Sequence, residues 1–383
     1  MTKAVPFQVS IPQEKLNAIF RRVREYRFFP APDDEGDQWS RGVNTDYFRE
    51  FCAYWLAHYD WRAQERTLNA FPQYIAQIDG LDVHFVHLVG EAGGKRPLIL
   101  THGWPGSHYE FWGAAEKLAF PSRFGDAGAD AFDLVIPSLP GYGFSGKPKR
   151  PLGQRATAAL FNTLMTDVLG HKTYVAQGGD WGSVVTAMLG LDHAACIAIH
   201  LNMNPLSPPG SSKPQSEEET QWLSRTRKAL DAESAYMREQ TTKPQTLAMA
   251  LMDSPVGTAA WILEKFHGWS DIRKAGLEGV YTKDQLLTNI MIYLVTDSIA
   301  TSVWYYRARA EENVKLDRRI EKPTGIANFK GEPVFKIPPR SWVERSLNVQ
   351  HWTDFETGGH FAAMEQPDAF TADVRAFART IGY

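Results

Sequence analysis

Three glycine-bracketed clusters carry the residue types that chemistry needs. The first is Gly178-Gly179-Asp180-Trp181-Gly182. A G-x-Nuc-x-G run suits a sharp strand-to-helix turn, where two backbones approach closely and a side chain is lifted above a sheet edge. The tip here is a carboxylate, not a hydroxyl or thiol. A carboxylate displaces a leaving group from sp³ carbon and leaves an alkyl ester. The plain alternative is an Asp capping a helix after an ordinary turn. The second cluster is Thr101-His102-Gly103-Trp104-Pro105-Gly106. The third is Gly358-Gly359-His360-Phe361, near the C-terminus. Such a histidine can take a proton from water, which then attacks an ester. The other late histidine, His351, falls in an expected strand.

The elements that must position these clusters are legible in outline. Leu16, Ile19, Phe20 and Val23 recur at helical spacing, predicting a helix over 11–28 with a Ser10/Gln13 capping box. A polar loop at Pro30–Asp37 and a helix over Asp46–His58 follow. QYIAQI and LDVHFVHL alternate on either side of Asp79-Gly80, the signature of a hairpin. Beyond Gly93-Gly94, apolar strands at 97–101, 132–139 and 172–177 alternate with helical stretches, one of them about 182–190. That is the grammar of an α/β fold, a mostly parallel sheet with helices on both faces. From Pro205 to about Lys322 the pattern turns helical, opening with NPLSPPGSSKP. Strands are expected near 334–337 and 348–352, then a closing helix over Asp368–Thr380. The reading divides the chain into an N-terminal extension (1–93), a first core part (94–204), a helical cap or lid (205–322) and a second core part (323–383).

In this context the clusters take complementary roles. An α/β-hydrolase fold draws oxyanion donors from the loop after an early strand and from the residue after the nucleophile. Those are the backbone N–H groups of Trp104 and Trp181. Pro105 has no N–H to give, and His102 reads as a structural histidine bonding its loop. The fold's chain order is nucleophile, acid, histidine. Glu332, in Phe329-Lys330-Gly331-Glu332, is the choice for the acid, with Glu344 and Asp317 as rivals.

Composition narrows the function classes. The 383 residues are 43% hydrophobic and 22% charged, enough for a full core. A net charge of −3 gives no electrostatic reason to expect nucleic acid or an acidic membrane surface. No apolar leader opens the sequence, and the oily run Ile290–Val295 is far short of the about 18 residues a spanning helix needs. Cys52 and Cys196 make no disulfide framework, which suggests a reducing, cytoplasmic setting. No HExxH, P-loop or dinucleotide fingerprint occurs, and Gly141-Tyr142-Gly143 lacks the third glycine. His84 and His87, three apart on a strand, face opposite sides, so no metal is expected. A homo-oligomer is compatible with the sequence.

The chain resembles the microsomal-type (juvenile-hormone-type) epoxide hydrolases over nearly its whole length. The likeness lies in DWRAQERTLNAFPQY, HGWPGSHYEF, PSLPGYGFS, GGDWG, MDSPVGTAAWILEKFHGWS, LLTNIMIY and GGHFAAMEQP. It implies hydrolysis of a small lipophilic epoxide by water to a vicinal diol, without cofactor or metal. It assigns Asp180 as nucleophile, His360 as base and Glu332 as acid. Tyr236 (in AYMREQ) and Tyr306 (in VWYYRAR) become lid tyrosines, with Tyr305 as a one-residue rival. The stretch from Glu332 to Trp342 is about two residues longer than the family pattern, and the anchor of membrane-bound members is missing, which implies a soluble enzyme. A phenol, with a reference pKa of ~10, can protonate the opening ring oxygen. Two rivals stand beside this reading. A haloalkane or haloacid dehalogenase uses an Asp nucleophile with indole donors, and a non-catalytic scaffold would bind a lipophilic ligand.

Overall fold

The computed structural model describes residues 3–383 apart from 37, 92, 127–128 and 205. Met1 and Thr2, Asp37 at the end of the polar loop, and Pro205 at the start of the linker therefore lie outside the described residues. The strands are β1 (Val5–Phe7), β2 (Gln73–Ile78), β3 (Leu81–Leu88), β4 (Pro97–Thr101), β5 (Asp133–Pro137), β6 (Tyr174–Gly178), β7 (Cys196–Leu201), β8 (Ile320–Phe329) and β9 (Leu347–Phe355). Among the described residues they form one sheet in the order β1-β2-β3-β5-β4-β6-β7-β8-β9. Pairing is antiparallel from β1 to β5 and parallel from β5 through β4 to β9. This is the mostly parallel α/β-hydrolase architecture expected from the sequence.

Local chemistry explains the pieces. Asp79 and Gly80 both adopt positive φ (51° and 78°), as a two-residue hairpin turn requires. β4, β5 and β6 are buried throughout, the mark of strands covered on both faces. Along β4, Leu98 and Leu100 join one apolar cluster and Ile99 the other, so the core lies in two layers against the sheet.

Between β7 and β8 stand the helices Glu217–Glu233, Ala235–Thr242, Pro244–Asp253, Pro255–Trp269, Lys283–Thr296 and Ile299–Glu312. Pro244 and Pro255 each open a helix, where a missing N–H does no harm. The oily run 290–295 is buried inside Lys283–Thr296, and among the described residues no single helix is long and apolar enough to cross a membrane. The N-terminal block bonds to these helices. Lys15 pairs with Asp297 (2.5 Å), Tyr54 Oη donates to Asp284 (2.9 Å), and Tyr59 Oη meets Thr288 Oγ1 (3.2 Å).

Four expectations need correction. The first helix is Gln13–Glu25, and its N-cap is Pro12, with no side-chain cap from Ser10. The chain enters the helix through the fixed φ of Pro12 (−56°), two residues past Ser10. VFKI at 334–337 is not a strand; the strand is the ten-residue IEKPTGIANF, Ile320–Phe329, which ends before it, with Pro323 at a register shift in the pairing with β9. That strand starts at Ile320, inside the range assigned to the cap. β7, CIAIHL, was not anticipated.

Strand register aligns the functional loops. Thr101 pairs with Gly178, so the loop after β4 and the turn after β6 leave the sheet side by side. Phe329 pairs with Phe355, so the loops after β8 and β9 do the same. Binding sites of open α/β sheets lie outside such carboxyl ends. The β4 and β6 loops approach so closely that a β-carbon at position 182 would sit 1.9 Å from the Thr101 carbonyl oxygen. Gly182→Ala is therefore expected to destabilise the protein by about 3 kcal/mol, seen as a shift in the urea unfolding midpoint. An unshifted midpoint would show that the two loops can separate at little cost.

Candidate active site

Asp180 begins the helix Asp180–Asp192 directly after β6, with a left-handed φ of 48°. Such a backbone costs about 1–3 kcal/mol for a residue other than glycine and persists only where surroundings enforce it. Here the β6 turn and the loop after β4 enclose it. The Trp104 N–H donates to Asp180 Oδ1 at 2.8 Å. Gly103 permits this approach, since a β-carbon there would lie 2.2 Å from Oδ1. Trp181 follows Asp180 in the first turn of the helix, where N–H groups have no intrahelical acceptor.

His360 reaches the same carboxylate from the loop after β9. Its Nε2 lies 3.4 Å from Asp180 Oδ2, and its Nδ1 is 2.8 Å from Glu332 Oε2. The Nε2 contact is long for a hydrogen bond and leaves that nitrogen free to address a water. Burial opposes a charge on His360, but Glu332 and Asp180 outweigh it and raise the imidazole to about 10. Glu332 is itself held, its Oε1 accepting the Val334 (2.9 Å) and Phe335 (3.1 Å) N–H groups. The rivals lie elsewhere: Glu344 pairs with Arg340 and Asp317 with Arg318.

Tyr236 and Tyr306 come from helices Ala235–Thr242 and Ile299–Glu312. Their rings stand edge to face, 5.8 Å apart. Tyr236 stacks on Trp104 (5.3 Å), and Tyr306 meets Trp181 edge-on (4.7 Å). Tyr305 points away, its hydroxyl donating to Thr157 Oγ1 at 2.8 Å. Burial first, with the Asp180 charge adding, pushes both site phenols well above the ordinary phenol range. The reference value of ~10 therefore does not hold in the resting site. Asp180, Trp181, Tyr236 and Tyr306 open onto a cavity of about 740 Å³, walled by Met203, Leu206, Leu230, Met237 and Phe335 among others.

His102 bonds its own loop, Nδ1 to the Gly103 carbonyl (3.0 Å) and Nε2 accepting from the Leu139 N–H (3.1 Å). Burial lowers it to about 4. His84 and His87 part company on β3, bonding Ser138 and Asp133 respectively. His87, Asp133 and His171 cluster where the parallel strands begin, at the end of the sheet away from Asp180.

Sequence reasoning missed the groups that fix these loops. Glu365, five residues past His360, accepts the N–H groups of Asp271 (2.8 Å), Gly359 (2.8 Å) and Phe361 (2.9 Å). The Trp269 carbonyl accepts the His360 N–H (3.0 Å), and its ring lies 4.8 Å from the imidazole. Asn289 Nδ2 and Tyr293 Oη donate to the Pro105 and Gly106 carbonyls (2.8 and 2.5 Å), clamping the loop after β4. The acid in GGHFAAMEQP was a readable signal; the clamp residues, 184 and 187 positions distant, were not.

The charge arrangement makes a pH prediction. His360 is raised in the folded chain, so its contribution to stability is complete below the unfolded value of ~6.5 and is lost as pH rises through about 10. Asp180→Asn removes one of the two anions, so the His360 pKa falls. NMR titration of the His360 ring in both proteins checks this, and an unchanged pKa would mean that Asp180 does not act on the imidazole.

Residues 4–111 match the family described as epoxide hydrolase N terminus, and residues 96–233 match the alpha/beta hydrolase fold. The chain is 34% identical to epoxide hydrolase 1 of Sus scrofa, over 97% of this chain and 88% of that one. It superposes on juvenile hormone epoxide hydrolase of the silkworm Bombyx mori with a TM-score of 0.87 and 32% identity, over 100% of this chain and 95% of that one. On the Aspergillus niger epoxide hydrolase the values are 0.86 and 33%, over 99% and 96%. With its carboxylate elbow, late histidine and full-length likeness, the chain belongs to the epoxide hydrolase family.

Proposed function

We propose that this protein hydrolyses a lipophilic epoxide to a vicinal diol through an Asp180 alkyl ester. One observation carries the reading: Asp180 has one oxygen held by the Trp104 N–H and the other open toward His360 and the cavity. The held oxygen becomes the ester carbonyl, and the open one attacks carbon. Tyr236 and Tyr306 donate hydrogen bonds to the ring oxygen. As the carbon–oxygen bond breaks, its electron pair goes to that oxygen, which takes a phenolic proton. The phenolate regains a proton from the His360 imidazolium by way of water.

Hydrolysis follows from the same charges. The ester no longer carries the Asp180 charge, so one anion that raised His360 is gone. Neutral His360, oriented by Glu332, takes a proton from water, and the hydroxide attacks Cγ. Trp104 and Trp181 N–H groups hold the oxyanion, donors of a kind worth 10²–10³ in rate. Collapse breaks the ester Cγ–O bond and releases the diol oxygen, which takes the proton held by His360; the proton of the new Cγ–OH then passes to the imidazole, restoring the Asp180 carboxylate and the imidazolium. Dehalogenation would instead ask indole N–H groups to hold a halide. The Trp104 and Trp181 indoles lack acceptors among the described residues, so a chloroalkane belongs beside the epoxide as a control. Halide release without diol formation would favour dehalogenation.

Single-turnover hydrolysis of styrene oxide in oxygen-18 water is expected to place label in Asp180 first and leave the new diol oxygen unlabelled. Label entering the diol directly would exclude the ester. Tyr236→Phe and Tyr306→Phe are each expected to slow ring opening by about 10²-fold, with the double variant near background. Stopped-flow tryptophan quenching reads the step, and a double variant as fast as the parent would remove the phenols from it.

A further inference from the structure

Arg309 lies one helical turn beyond Tyr306 on Ile299–Glu312, so both present to one face of that helix. Its guanidinium stands 5.6 Å over the Trp181 ring. It lines the same cavity as Asp180 and Tyr306. Nη1 is buried and has no hydrogen-bond partner among the described residues. The residue as a whole is half-buried, but a buried guanidinium N–H normally finds an acceptor, because burying a polar group without a partner is costly.

The neighbouring acids are engaged elsewhere. On the same helix Glu311 pairs with Arg307 (2.6 Å), and Glu312 accepts the Gly153 N–H (3.0 Å). Among the described residues lining the cavity, Asp180 is the one acid, and its oxygens face Trp104 and His360. The second lining cation is Lys315, which is exposed. By contrast, the buried Lys265 on helix Pro255–Trp269 has a partner in Glu264. The cavity thus carries an anion, two phenols and, about one helical turn (~5 Å) along the helix from Tyr306, a guanidinium near enough to feel the Asp180 charge yet with one buried nitrogen unpartnered among the described residues.

We propose that Arg309 binds a carboxylate on the substrate, and that the preferred epoxides are epoxy acids with a short apolar spacer between ring and carboxylate. The inference rests on the epoxide hydrolase reading and adds the substrate class. The spacer lies against Met203, Leu206 and Leu230, the ring oxygen meets Tyr306 and Tyr236, and the carboxylate reaches the guanidinium. A charge-assisted hydrogen bond of this kind corresponds to roughly tenfold to hundredfold in affinity.

The test compares epoxyhexanoate with its methyl ester, and hexanoate with hexanamide. The parent should turn over the acid with the higher kcat/KM. Arg309→Met keeps the stem over Trp181 and removes the charge; it should cut the acid-to-ester ratio about tenfold or more. Hexanoate binding, read by tryptophan fluorescence, should weaken similarly and hexanamide binding much less. Arg309→Lys should retain part of the preference, and serves as the folded comparison if the methionine variant is unstable. An acid-to-ester ratio indifferent to both variants, with hexanoate bound equally by all, overturns the inference while diol formation leaves the epoxide hydrolase reading standing. No diol from either epoxide, with hexanoate binding still dependent on Arg309, fails that reading and keeps the anion site.

Discussion

His360 sits almost wholly out of water with a carboxylate facing each ring nitrogen. Burial alone would strip its proton, and the two anions more than reverse that. Each anion arrives on a different piece of the sheet: Asp180 after β6, Glu332 after β8, and the imidazole itself after β9. The three meet because neighbouring parallel strands end in register, and because Glu365 and the Trp269 carbonyl tie down the backbone on either side of His360. Breaking one partner of such a buried charge set leaves the others uncompensated, so the sheet's carboxyl edge and the ion triad stabilise one another.

The second constraint is closeness. A carboxylate at the tip of a strand-to-helix turn must adopt a left-handed backbone, and the loop after β4 must come within hydrogen-bond distance of it. Both demands are met by removing β-carbons at positions 103 and 182. They are held by polar contacts from a helix far away in sequence, where Asn289 and Tyr293 grip the Pro105 and Gly106 carbonyls. Helix Lys283–Thr296 therefore ties the loop after β4 to the helical block between β7 and β8. The N-terminal block reaches that helix too, through Tyr54 and Tyr59.

How much of this was legible depends on whether the signal was local. The elbow, the oxyanion loop and the Gly-flanked histidine each carry their meaning within five or six residues, and the hairpin at Asp79-Gly80 does likewise. β8 was misread because its first residues, IEKPT, look like a polar linker and hold a proline, while VFKI downstream has the alternating look of a strand. Tertiary pairing with β7 and β9, not local propensity, makes the former a strand. The Ser10 capping box failed for a local reason, since Pro12 stands at the entry and sets the N-cap. Choosing Tyr306 over Tyr305 as the ring that faces the cavity needed the helix phase, and the structure supplies it by tying Tyr305 to Thr157. Arg309 reads in the sequence as one more cation in a charged helix; that its Nη1 lacks a partner among the described residues is a property of the folded chain.

In the proposed mechanism, the resting charges also explain how one site can serve two steps that need opposite proton inventories. Ring opening calls for an anionic nucleophile beside acids that stay protonated. The structure provides the anion in Asp180, phenols whose protons are held tightly by burial and by that same anion, and an imidazolium as a proton reserve. Ester formation at Asp180, as proposed, would cancel its charge. At once the phenols lose a neighbour that strengthened their hold on the proton, and the imidazole loses one of the two anions that kept it cationic. The proton can then pass outward to the ring oxygen, and His360 is left neutral beside Glu332, ready to act as a base. Forming one covalent bond at Asp180 would change the electrostatics felt by three other side chains. Their aromatic surroundings, Trp104, Trp181 and Trp269, limit solvent screening, so that the loss of a single charge carries across the site.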